Sequence, residues 1–94
     1  MSETAEVLKA RGSIYGDFSD NARVVQGLMI VAASGIEWAH LNDVHREAIH
    51  MIFHKIGRIV NGEPNHRDSW IDIAGYAQLV ADRIGPQPAK KVDS

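Results

Sequence analysis

Apolar side chains recur every three or four residues along most of this chain, and no stretch shows the strict alternation of a half-buried strand. The pattern is plainest after residue 43, where one stripe comprises Val44, Ala48, Met51, Ile52, Ile56 and Ile59. Such positions lie on one side of an α-helix. The sequence therefore predicts an all-α fold, a compact bundle of three to four helices.

Glycines and capping residues divide the chain into four predicted helices, over about residues 3–11, 20–34, 44–61 and 68–84. Ser2 and Ser19 are the expected N-caps of the first two helices, and Asn42 or Asp43 that of the third. The segment GSIYGDF, residues 12–18, is expected to be a loop because it holds two glycines and an aspartate. We expect one helical domain over residues 1–85 and a flexible tail over residues 86–94.

Length and charge exclude several classes of protein. The chain has 94 residues, a net charge of −2 and no cysteine, which excludes disulfides and cysteine-based metal sites. Without a basic surplus it is a poor general nucleic-acid binder. No apolar run is long enough to span a bilayer, and the N-terminus lacks a signal-peptide pattern, so we expect a cytoplasmic protein. A chain this small with 45% apolar residues is expected to complete its core as a homodimer.

Several charged residues lie beside the apolar stripes of the third and fourth predicted helices. Charges that only face solvent would be expected on the opposite side of each helix. Glu47, Lys55 and Arg58 share one sector of the third predicted helix, and Asp68 and Asp72 stand one turn apart on the fourth. If these helices pack antiparallel across the short loop between them, the late third helix and the early fourth adjoin the same turn. We therefore expect the opposite charges to meet there.

Three interpretations of this charged group remain open. Lys55, Arg58 and the aspartates could form a partly buried ion-pair network that fixes helix register. The two basic residues could hold a phosphate while the aspartates orient them. Alternatively, Glu47, Asp68 and Asp72 could bind Mg²⁺, which favours carboxylate oxygens combined with substrate phosphates.

The loop around residue 16 carries a second group of candidates. Gly16 is expected to adopt a backbone conformation that other residues avoid. Asp17 could supply a third carboxylate, pair with Arg58, or cap the second helix. Tyr15 and Phe18 could line a base pocket or anchor the loop.

Aromatic and imidazole side chains on the third and fourth helices add two further alternatives. Tyr76 could stack on a base or fill the core. His50 and His54 have the i, i+4 spacing of a shared metal site, but no HExxH pattern accompanies them, which favours a solvated polar edge.

The order of three segments, RGSIYGDF, MIFHKIGRIVNGE and RDSWIDIAGYAQL, resembles a family of small proteins of tailed phages and prophages. The resemblance covers residues 11–79. The family's signature positions here are Arg11, Tyr15, Gly16, Asp17, Lys55, Arg58, Asp68, Asp72, Gly75 and Tyr76. More distantly, the chain is similar to MazG-like all-α nucleotide pyrophosphohydrolases and to helical domains associated with nucleotide modification in phages. The chain departs from the acidic ExxE and ExxD pairs of those enzymes. His50 stands three residues after Glu47, where ExxE has its second glutamate, and Asp68 and Asp72 are four residues apart instead of three.

This resemblance implies a MazG-like bundle that binds a nucleotide or nucleoside phosphate between the third and fourth helices. If the chain is an enzyme, it would be a Mg²⁺-dependent pyrophosphohydrolase with Glu47, Asp68 and Asp72 as its catalytic and metal-binding residues. The implied substrate-binding residues are Arg11, Tyr15, Asp17, Lys55, Arg58 and Tyr76. The alternative is a phage accessory protein without chemistry of its own that binds and inhibits a host defence protein.

Overall fold

A computed structural model describes residues 3–88, and in this range every long regular element is a helix. The helices are α1 (Glu3–Tyr15), α2 (Phe18–Ala33), α3 (Asp43–Asn61) and α4 (Arg67–Ile84), with a short 3-10 turn at Trp38–His40. The all-α prediction is confirmed, and residues 3–88 contain no strand. The expected cap Ser2 and residues 89–94 of the expected tail lie outside the described range.

The first helix is longer than the sequence predicts, because Gly12 does not end it. Gly12 lies inside α1, and the helix continues to Tyr15. Gly16 breaks it, with a φ of 85° that disfavours any side chain. The expected loop over residues 12–18 therefore shrinks to Gly16 and Asp17. Asp17, rather than Ser19, is the N-cap of α2.

The start of α3 and the connector before it are fixed by side-chain hydrogen bonds. Asn42 accepts from the backbone N–H of His45 at 2.9 Å, and the His45 ring in turn bonds the backbone N–H of Asn42 at 3.2 Å, which completes a capping box. Arg46 donates to the carbonyl oxygen of Trp38 at 2.8 Å and lies over its indole ring. Within residues 3–88, no helix combines the length and apolar character needed to cross a bilayer.

The helix α3 is central, with α2 and α4 packed on opposite sides of it. The buried Gly57 faces α2, where an added Cβ would lie 3.4 Å from Val25. Lys55 faces α4 and contacts Asp72. Two residues correspond to about 200° around a helix, so α2, α3 and α4 form a single layer.

A single layer buries little apolar surface. Val25 and Ala48 are the buried apolar side chains in residues 3–88, at 3% and 9% exposure. Trp70 and Ile71, two large apolar residues of α4, are 54% and 46% exposed. The reason is that α4 packs mainly against α3, so one narrow stripe of α4 is covered.

At one end of the layer the α1–α2 connection crosses the C-terminus of α3 at backbone contact; we call this crossing the glycine corner, formed by Gly16 and Gly62. The backbone N–H of Glu63 donates to the carbonyl oxygen of Ile14 at 2.7 Å. A Cβ added to Gly62 would clash with that same oxygen, and one added to Gly16 would lie 2.8 Å from Asn61. Both positions therefore exclude a side chain.

We expect Gly62→Ala to destabilise the protein by about 1–3 kcal/mol, because the new methyl group must push two backbone segments apart. Gly12→Ala is the matched control, since nothing lies within 4 Å of a Cβ added there. In mid-helix it should stabilise by about 0.5–1 kcal/mol. Urea unfolding followed by circular dichroism measures both, and equal effects of the two substitutions would contradict the tight crossing.

Candidate functional site

Two asparagine amides lock the glycine corner to α2 and α3. The side-chain amide of Asn21 donates to the carbonyl oxygen of Tyr15 at 2.7 Å. The amide of Asn61 donates to the Asn21 side-chain oxygen at 3.0 Å. Sequence reasoning missed both residues. The sequence offered only their positions as a signal: Asn21 lies four residues after Asp17, and Asn61 lies directly before Gly62, so both stand next to the predicted breaks between helices.

The corner places the ring of Tyr15 in contact with two guanidinium groups. The central carbon of Arg58 lies 4.6 Å from the ring centroid and that of Arg11 lies 5.0 Å from it. The ring of His66 meets Tyr15 edge-on at 5.4 Å. The sequence left a base pocket and a loop anchor open for Tyr15, and the observed contacts are those of an anchor. The stacking fixes both arginines while their N–H groups remain able to donate.

Beside these two arginines lies a cleft between α1, α2 and α3, which we call the arginine cleft. It consists of two adjoining hollows of 290 and 490 Å³ that share Arg11, Phe18, Asn21 and Arg58 in their walls. Among residues 3–88, no carboxylate forms an ion pair with Arg11 or Arg58. The cleft therefore has a surplus of positive charge.

Asp17 is the carboxylate in the lining of the cleft, and its charge is already engaged. It accepts hydrogen bonds from the backbone N–H and the hydroxyl group of Ser19. The Ser19 hydroxyl contributes most, followed by the Ser19 N–H, to a pKa of Asp17 below its usual value. Asp17 therefore stays ionised as the cap of α2. It neither pairs with Arg58 nor joins the other aspartates.

His54 and His50 form the α3 wall of the larger hollow. Their rings meet edge-on with centroids 5.5 Å apart. Burial lowers the pKa of His54 most, and the nearby His50, Arg58 and Lys55 lower it further, against a small opposing effect of Glu47. The imidazole of His54 is therefore kept neutral at neutral pH. This pair is a wall of the cleft rather than the plain solvated edge that the sequence allowed.

Lys55 points away from the arginine cleft, to the α4 side of α3. Its ammonium group lies 2.9 Å from a carboxylate oxygen of Asp72, and its side chain is 13% exposed against 46% for Asp72. The expected meeting of opposite charges is confirmed for this pair. Arg58 does not join it, although it is only about 60° away around the helix. Its guanidinium group lies against the ring of Tyr15 at the end of α1 instead.

Glu47, Asp68 and Asp72 are not brought together. Antiparallel packing puts Asp72 level with Lys55, which is eight residues, about 12 Å, along α3 from Glu47. Among residues 3–88, no three histidine, aspartate or glutamate side chains gather as a metal-binding group. These residues therefore do not fit a three-ligand Mg²⁺ site within one chain.

The grooves between α3 and α4 are apolar, unlike the arginine cleft. Glu47 and Tyr76 line one of them at the edge, together with Met51 and Leu79. Tyr76 is half-buried there. The nucleotide pocket expected between α3 and α4 is thus not where the free cationic groups lie, since those groups line the α1–α2–α3 side.

A family model described as a domain of unknown function, DUF6378, matches residues 1–84. The chain belongs to the DUF6378 family. No curated protein and no solved structure is similar enough to match. The description of DUF6378 assigns no activity. Phage origin, MazG-like character and the binding of a host protein therefore stay predictions.

We expect Asp72→Asn to destabilise the protein by about 1–2 kcal/mol, because it leaves the largely buried ammonium group of Lys55 without its partner. Solvent screening at the half-exposed carboxylate keeps the cost below that of a fully buried pair. The exposed Asp68 is the control on the same helix, and Asp68→Asn should cost no more than the about 0.3–1 kcal/mol of a helix-dipole interaction. Urea titrations measure both, and adding Lys55→Met to Asp72→Asn should recover part of the loss.

His54 should make the stability of the protein pH-dependent. Its pKa is lowered in the folded state, whereas in the unfolded chain it is about 6.5. As pH falls through that value the unfolded state takes up the proton first, so stability is full above it and is lost below it. We expect His54→Gln to flatten the pH dependence of the melting temperature below pH ~6.5, and the exposed control His40→Gln to leave it steep. An unchanged slope in His54→Gln would contradict the burial of this ring.

Proposed function

We propose that the chain binds a nucleotide or nucleoside phosphate in the arginine cleft. The observation that carries this proposal is the pair Arg11 and Arg58, both held against the ring of Tyr15 without a carboxylate partner in residues 3–88. A guanidinium group donates planar, paired hydrogen bonds that match phosphate geometry. Two such groups at one cleft are suited to a ligand with several phosphate oxygens.

The walls of the cleft support the same ligand class. Phe18 lies at the cleft with 83% of its surface exposed. An exposed aromatic ring beside a cationic site provides a stacking surface for a base. Asn21 lies in the wall that the two hollows share, where its amide donates to Tyr15 and its oxygen accepts from Asn61, so it holds the cleft in shape. Phosphate at the arginines and a base at Phe18 would therefore use both hollows.

The proposal relocates the ligand without extending to a reaction. Of the residues implied as substrate-binding, Arg11, Tyr15, Asp17 and Arg58 lie at the arginine cleft. Lys55 and Tyr76 lie on the α4 side of α3. Since Glu47, Asp68 and Asp72 do not fit a metal site within one chain, we derive no hydrolytic step from them. Hydrolysis with Mg²⁺ is a separate outcome that the same experiment can detect.

We expect isothermal titration calorimetry to detect binding of pyrophosphate and of deoxynucleoside triphosphates, and Arg58→Gln or Arg11→Gln to weaken it roughly 10- to 100-fold, the loss of one charge-assisted hydrogen-bonding group. Arg23→Gln is the matched control. It removes the same charge from α2, but at a side chain that is 73% exposed and paired with Asp20.

Failure of every phosphate ligand to bind would refute the proposal, as would equal weakening by Arg23→Gln. Phe18→Ala separates the two halves of the ligand. It should weaken a triphosphate that carries a base and leave pyrophosphate unaffected. A parallel incubation with Mg²⁺, assayed for monophosphate and pyrophosphate, reports turnover.

A further inference from the structure

One side of the helical layer is apolar across all three helices; we call it the apolar face. It is formed by Val31, Ile49, Ile52, Ile56, Val60 and Ala77. Ile49, Ile52 and Ala77 line the same groove between α3 and α4. On α3 the other members follow at i+4 spacings, and Val31 lies on the flank of α2 that helical geometry turns to the same side.

The apolar face is exposed to a degree that a finished core does not allow. Val31 and Val60 are 70% and 61% exposed. Ile49, Ile52 and Ile56 are only half-buried, although they lie at the centre of the layer. Stable helical domains cover such a stripe with a second layer, and residues 3–88 supply none on this side.

The exposed area measures how much surface remains to be covered. The chain exposes 7234 Å², whereas a folded chain of 10.4 kDa is expected to expose about 5,400 Å². If the eight residues outside 3–88 are set aside at the ~1,200 Å² of an unfolded chain, about 6,000 Å² remains. The remaining ~9.5 kDa is expected to expose about 5,100 Å², so the excess is about 900 Å². Stable interfaces bury about 800 Å² per partner, so the excess equals one such interface.

We propose that the apolar face docks on the same face of a second copy of this chain, giving a two-layer homodimer. The six residues that define it carry no charge, and His45 is the one titratable residue that lines the groove among them. A two-fold axis through the face therefore brings no carboxylate, lysine or arginine against its own copy. If the fold is stable only when this face is covered, its partner must be present wherever the chain is. A second copy of the chain meets that requirement. The arginine cleft lies on the opposite side of α3, so this proposal is independent of the proposed ligand.

The first test uses the unaltered chain. Sedimentation velocity between about 1 and 100 μM should give twice the chain mass of 10.4 kDa, and the melting temperature should rise with protein concentration. A monomer with a melting temperature independent of concentration overturns the proposal.

Two adjacent residues of α2 provide a matched pair that locates the interface. Val31→Lys places a charge on the apolar face, whereas Ile30→Lys places it one residue earlier, pointing away from α3, at a similar exposure of 73%. We expect Val31→Lys to weaken dimerisation roughly tenfold or more and Ile30→Lys to leave it unchanged. Equal effects of the two substitutions, or a dimer insensitive to Val31→Lys, overturn the assignment of this face.

Val60→Lys provides the same test on α3. If a lysine variant loses its helical circular dichroism at low concentration, raising the concentration decides the cause. Recovery of the helix signal together with the dimer mass supports the interface. A variant that remains unfolded at all concentrations, while Ile30→Lys folds, marks the residue as part of the monomer core and overturns its place on the face.

Discussion

The backbone contact at the glycine corner is the constraint on which the candidate site depends. Because neither Gly16 nor Gly62 carries a Cβ, the end of α1 can lie directly against the end of α3. That contact sets where Tyr15 stands, and Tyr15 in turn positions Arg11 and Arg58. A wider crossing would separate the two guanidinium groups and open the cleft. The two guanidinium groups can therefore lie together at the cleft because Gly16 and Gly62 have no Cβ.

The same corner explains why the charged residues of α3 serve two different sides of the molecule. Lys55 and Arg58 are three residues apart, and sequence spacing alone suggests one shared sector. The two side chains take different directions only because a different element packs against α3 on each side. With α4 on one side and the end of α1 on the other, Lys55 pairs with Asp72 and Arg58 stacks on Tyr15. The lysine–aspartate pair is half-shielded and joins α3 to α4, whereas the guanidinium group of Arg58 has no carboxylate partner in residues 3–88.

Most of the helices could be predicted from residues close together in the sequence. The site could not, because it is formed by contacts between residues far apart in the sequence. The stripe of α3 and the cap at Asn42 are encoded within a few residues, so the third helix was predicted nearly to its ends. Gly12 misled because a glycine inside a helix costs only about 1 kcal/mol, and the true stop four residues later depends on a contact with Asn61. The Asn21–Asn61 hydrogen bond joins residues 40 positions apart, which no local spacing reveals.

The two faces of the helical layer differ in the chemistry of their side chains and in how far they are covered. On the side of the arginine cleft, α1 covers one end of α3, and polar groups are satisfied by caps, amides and rings. On the other side the isoleucines of α3 stay half-buried beside α4. A layer one helix thick can bury one side of each helix or leave both sides half-exposed, but it cannot close a core. Pairing of two apolar faces would close the core while leaving both arginine clefts on the outer surfaces of the dimer, each open to a ligand.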